Sequence, residues 1–67
     1  MWLVVINPTS GGGRGRKIGA EVVAQVRARK LEFVEIIENS AHATSEAISS
    51  ALKTYQVTGV MVVGGDG

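Results

Sequence analysis

Apolar residues run without interruption from Trp2 to Ile6 and stop at Asn7-Pro8. A short β-branched run with no polar alternation predicts a strand buried on both faces. Pro8 cannot continue a central ladder, and Gly11, Gly12, Gly13 and Gly15 follow it, so the strand opens into a glycine-rich, basic loop. From about Arg14 to Lys30, Ile18, Val22 and Val26 recur every four residues, with Val23 widening the stripe. This is the period of an amphipathic helix, and Arg27, Arg29 and Lys30 suit its negative end. Gly19 interrupts the helix and marks either a close contact with the sheet or simple tolerance.

Phe33, Val34, Ile36 and Ile37 predict a second strand over 32–37, and Asn39-Ser40 supplies a turn with a candidate N-cap. A second helix follows over 41–55. Ala43, Ala47 and Ala51 share one stripe, with Ile48, Leu52 and Tyr55 beside it. Val57 to Val63 returns to β-branched character, before the turn sequence Gly64-Gly65-Asp66-Gly67. The order is β-α-β-α-β. It predicts an α/β fold with a parallel sheet, right-handed crossovers and helices on both faces, a three-layer half-domain. Three strands make half of such a sheet, and further chain is expected to cover the edge after Val63.

Composition narrows the function. At 67 residues the chain is one domain or part of one. It has no cysteine, which removes zinc ribbons, thiol catalysis and thioredoxin-like chemistry. A net charge of +1 provides no broad field toward nucleic acid or a membrane, so no nucleic-acid partner is expected. The opening apolar run lacks a basic leader and is too short for a signal peptide, which favours a cytoplasmic protein. No apolar run approaches the roughly 20 residues of a membrane span, so a lipid would be met from the water side.

In a parallel sheet ligands gather at the carboxyl ends of the strands, and both glycine-rich segments fall there. Glycine lets backbone N–H groups approach phosphate oxygens, and a following helix adds further N–H groups and a positive dipole end. Asn7, Thr9, Ser10 and Arg14 add donors. By itself the first loop reads equally as a flexible connector; the second makes phosphate binding the stronger reading. The spacing is neither of the familiar ones: Gly11 to Lys17 lacks the Walker Gly-Lys-Ser/Thr ending, and Gly13-x-Gly15 is followed by Ile18 where a Rossmann turn has Gly. Arg14, Arg16 and Lys17 either grip phosphate or are ordinary surface cations. His42 has no second His or Cys for a metal set and is assigned no chemistry. Ser45, Ser49 and Ser50 lack a neighbouring base and read as surface hydroxyls.

The ordered set Asn7-Pro8-Thr9-Ser10-Gly11-Gly12-Gly13, His42-Ala43 and Val62-Val63-Gly64-Gly65-Asp66-Gly67 resembles the diacylglycerol kinase catalytic-domain family. That family includes sphingosine kinases and bacterial lipid kinases and is related to NAD kinases. The resemblance implies an ATP site between this domain and a C-terminal β-rich, lipid-binding domain, with phosphoryl transfer to a lipid hydroxyl. It implies that Asn7, Ser10, Gly11, Gly12 and Gly13 contact the nucleotide. Gly64, Gly65, Asp66 and Gly67 would form the second wall, with Asp66 as base or as a Mg²⁺ contact. From local chemistry alone, Asp66-Gly67 equally favours a tight turn.

Where the family usually carries Thr shortly before His-Ala, this chain has Ile37, and Ser40 is the hydroxyl that could replace it. The Thr that usually follows Gly-Gly-Asp-Gly, the lipid pocket and the favoured acidic base are expected beyond Gly67. Residues 1–67 are accordingly expected to be the N-terminal part of the catalytic domain, inactive alone, from a parent with peripheral membrane contact. Three alternatives stay open: an NAD kinase, which shares Gly-Gly-Asp-Gly but not usually the first loop; a noncatalytic nucleotide-binding module whose sheet edge pairs with another copy, as a homo-oligomer; and a dinucleotide oxidoreductase using Glu38 for the ribose.

Overall fold

The computed structural model describes residues 1–8 and 12–64. Its elements are β1 (Trp2–Ile6), α1 (Arg14–Ala28), β2 (Phe33–Ile37), α2 (Ala41–Thr54) and β3 (Gly59–Val63). The strands form a parallel sheet in the order β2-β1-β3, with Trp2 in register with both Phe33 and Gly59. The expected α/β arrangement is present.

The uninterrupted apolar character of β1 follows from its central place. Leu3 and Val5 pack on Ile36 and Ala51 on one face, while Val4 and Ile6 pack on Val23, Val26 and Val63 on the other. Both faces of β1 are buried, so polar alternation is absent. The chain crosses from β1 outward to β2, then back past β1 to β3. Two crossovers of one hand with this reversal must place their helices on opposite faces, and α1 and α2 do lie on opposite faces.

The buried stripe of α1 differs from the expected one. Gly15, Gly19, Val23 and Val26 face the sheet, whereas Ile18 is 47% exposed. The helix rests on the sheet through its glycines, and a stripe defined by apolar side chains is rotated away from that contact. Gly19 therefore marks the close contact. The helix also ends earlier, at Ala28. Lys30 adopts a left-handed φ of 57°, its N–H donates to the Arg27 carbonyl, and the Leu31 N–H donates to Val26. This is a Schellman ending built on lysine in the position glycine usually fills.

On α2 the alanine stripe supplies the contact: Ala51 is buried, with Ala47 and Ile48 packed beside it, while Leu52 and Tyr55 are exposed. Small side chains let this helix lie close to Leu3 and Val5. The third strand begins at Gly59 rather than Val57, and just ahead of it the Thr58 N–H donates to the Met1 carbonyl. A β-carbon on Gly59 would collide with the ring of Trp2, its register partner, so glycine admits the indole there. No helix among the described residues is long and apolar enough to cross a membrane.

Candidate functional site at the carboxyl ends of the strands

Parallel strands bring the segments after Ile6, Ile37 and Val63 to a single edge of the sheet. A crevice of about 270 Å³ opens there, with Val5, Ile6, Val62 and Val63 at the strand ends and Asn7, Glu38, Asn39, Ser40, Thr44 and Gly64 around them. The Asn7 N–H donates to the Val63 carbonyl at 3.1 Å, tying the exit of β1 to the exit of β3. Gly64 then turns with φ 76°, a conformation open to glycine and strained for a residue with a β-carbon.

Two helices start at this edge, and their starts differ. At α2, Ser40 is extended and its Oγ accepts from the Ala43 N–H at 3.1 Å. The Thr44 N–H and Oγ1 both donate to the Ser40 carbonyl, at 3.0 and 2.8 Å. The Ser40 side chain thus caps the start of α2. At α1 the N-cap is Gly13, left-handed at φ 99°, which has no side chain to cap with, and no acidic residue lies in the first turn. Gly12 precedes it with φ 69°, and Arg14, Arg16 and Lys17 are exposed around this start. Unpaired N–H groups at a helix start, a positive dipole end and nearby cations are the conditions that favour an anion.

Of the residues expected to contact nucleotide, Asn7 and Gly64 line the crevice, and Gly12 and Gly13 form the turn into α1. Ser10, Gly11, Gly65, Asp66 and Gly67, together with Thr9, lie outside the described residues. Ile37 is the register partner of Ile6 and borders a different cavity, whereas Ser40 borders the crevice. Ser40 and Thr44 are the two hydroxyl residues on the crevice wall, and the Ser40 Oγ is already engaged as the cap of α2. Arg16 also borders the other cavity. His42 pairs through Nε2 with Glu46 Oε1 at 3.0 Å, one helical turn on, with both side chains largely in solvent. Ser45, Ser49 and Ser50 are exposed, as expected.

Among the described residues, no group of three or more His, Cys, Asp or Glu is placed to hold a metal ion. Mg²⁺ commonly takes one or two carboxylates and completes its shell from substrate phosphates and water. The carboxylate expected from the sequence for such a contact, Asp66, lies outside the described residues.

The second cavity, of about 440 Å³, lies between α1 and β2, with Pro8, Ala20, Ala24 and Ile37 among its apolar walls. It is larger and opens between α1 and the sheet, reaching Pro8 after β1 and Arg16 in the first turn of α1. Its Arg27 already stands 5.6 Å from the centroid of the Phe33 ring, a cation–π distance. Sequence reasoning gave Glu38 a ribose role only in the oxidoreductase alternative, read Asn39 as a turn residue and did not assign Thr44, and it did not bring the three together as a wall of the main crevice. The signal available for it was position: residues directly after β2 share the edge that carries both glycine turns.

The sequence profile of the diacylglycerol kinase catalytic domain matches residues 1–67. The chain is also similar to a Bacillus subtilis (strain 168) protein named "Putative lipid kinase YtlR", with 31% identity over 68 aligned positions. That alignment covers 98% of this chain and 22% of the relative. No solved structure matches the chain.

Proposed function

Because the chain belongs to the diacylglycerol kinase catalytic domain family, we propose that it supplies the nucleotide-binding wall of an ATP-dependent lipid kinase. The reaction would move the γ-phosphate of ATP to a lipid hydroxyl in the cytoplasm. Since the chain spans 22% of the length of the relative it matches, the lipid pocket is assigned to residues outside this segment, and turnover to the longer protein.

The observation that carries the reading is the crevice itself. It is lined by Asn7 at the exit of β1 and by the left-handed Gly64 at the exit of β3, and the chain from β1 continues into an α1 start that has no side-chain cap and carries Arg14 and Lys17. A polyanion laid between them would accept N–H donors from the α1 side, with glycine backbone on the other. Phosphoryl transfer requires chiefly positioning and charge neutralisation, and such a cradle suits both. Asn7, Ser10 and Gly11 to Gly13 would hold phosphate oxygens. Gly64 to Gly67 would close over them, with Asp66 holding Mg²⁺ or taking the hydroxyl proton. Bound magnesium would neutralise charge on the phosphate oxygens. The lipid oxygen forms the new P–O bond as the bond from the γ-phosphorus to ADP breaks.

Calorimetric titration of the full-length protein with ATP and Mg²⁺, followed by incubation of γ-labelled ATP with a lipid extract, tests this. Saturable binding and label in the lipid fraction are expected. Absence of ATP binding would contradict the proposal, and label transferred to NAD but not to lipid would redirect it to the NAD kinase alternative.

A further inference from the structure

The larger cavity, of about 440 Å³, has the size and lining of a small-molecule site, mostly apolar with a few polar groups. Its apolar lining comes from Ile6, Pro8, Ala20, Val23, Ala24 and Ile37. Three charged side chains complete it: Arg16, Arg27 and Glu35. Ile37 is 47% exposed, so this apolar surface is open at the side of β2.

The charges are unevenly matched. Arg27 stands over the Phe33 ring, and Glu35, two residues along β2 from Phe33, lies on the same face of the sheet. Arg16 makes no hydrogen bond, ion pair or ring contact among the described residues. At 1.5 Å per residue, it stands about 16 Å from Arg27 along the axis of α1. Two guanidinium groups against one carboxylate leave the lining with one uncompensated positive charge, and Arg16 is the cation without a partner.

An occupant complementary to this lining has an aliphatic body with one negative charge at its end. A carboxylate carries that single charge and accepts two parallel N–H donors from a guanidinium group. A phosphate monoester, with about two negative charges at neutral pH, exceeds what the lining offers. We propose that the cavity between α1 and β2 binds a fatty acid, its carboxylate held by Arg16 and its chain lying along Ala20, Ala24 and Ile37. The assignment does not depend on the nucleotide reading of the crevice.

Calorimetric titration of the full-length protein with dodecanoate, kept below the concentration at which it forms micelles, measures the site, with methyl dodecanoate, butyrate and dodecyl phosphate as comparisons. Dodecanoate is expected to bind at a single site, about tenfold tighter than the uncharged ester, the value of a charge-assisted hydrogen bond. Butyrate, which has the charge without the chain, should show no measurable binding. Arg16→Ala should bring dodecanoate to the level of the ester. Ala24→Leu, at an exposed position, should weaken acid and ester alike by filling the groove. Equal wild-type affinity for acid and ester would overturn the assignment, as would a dodecanoate affinity unchanged in either variant. Tighter binding of dodecyl phosphate would overturn the choice of a carboxylate. Absence of dodecanoate binding, as when a further segment of the longer protein fills the groove, would overturn the site itself.

Discussion

A β-carbon added to Gly19 would stand 2.7 Å from Cγ2 of Ile6, closer than such atoms approach. Ile6 is the last residue of β1, is buried, and borders the crevice, so this contact sets how near α1 lies to the strand that carries the glycine turn. Gly19→Ala gains about 1 kcal/mol of helix propensity. Overpacking against a buried side chain costs about 1–3 kcal/mol. The loss should win, lowering the urea midpoint of the full-length protein. Ile6→Val in the same background should recover part of it, and strict additivity of the two changes would show that they do not share this contact.

Lys30 holds a left-handed conformation at the Schellman ending of α1. A non-glycine residue there costs about 1–2 kcal/mol. Lys30→Gly is expected to raise stability by about 1 kcal/mol, after the greater freedom of glycine in the unfolded chain is deducted. Chemical denaturation checks the sign, and a destabilised Lys30→Gly variant would contradict the account of this terminus.

Ser40 caps α2 through its side-chain oxygen. Ser40→Ala should cost about 1 kcal/mol, and Ser40→Asp, which keeps an acceptor and adds charge suited to the helix start, should retain most of the stability. Thermal melts of the two variants side by side separate loss of the cap from loss of a general packing contact.

Leu3 is fully buried between β2 and α2, packed with Ile36 and Ala51. Leu3→Ala should cost about 2–5 kcal/mol, through lost transfer energy and the cavity left behind. A loss under about 1 kcal/mol in equilibrium unfolding would mean that β1 is not the centre of the core.

Most of the fold was legible because it rests on apolar side chains. The strand over residues 2–6 appeared as a continuous apolar run, and the structure places it between two helices. Ser40 was legible as a cap because its hydroxyl has a defined local use. The facing of α1 was misread, since counting apolar residues gives weight to Ile18 and none to Gly15 or Gly19, where the helix actually touches the sheet. The early end of α1 was missed because Lys30 carries no sequence mark of a left-handed turn. In the site, Asn7 and Gly64 were legible from glycine-rich neighbours, whereas Glu38, Asn39 and Thr44 meet them only through strand register and the start of α2.

The central claim is that nucleotide phosphate sits at the strand ends, between the start of α1 and Gly64. Backbone amide chemical shifts of the full-length protein, followed during titration with ATP and Mg²⁺, test it most directly. The largest changes are expected at Gly12, Gly13, Arg14, Gly15 and Gly64. Changes centred instead on Ala20, Ala24 and Ile37, around the larger cavity beside β2, would contradict it.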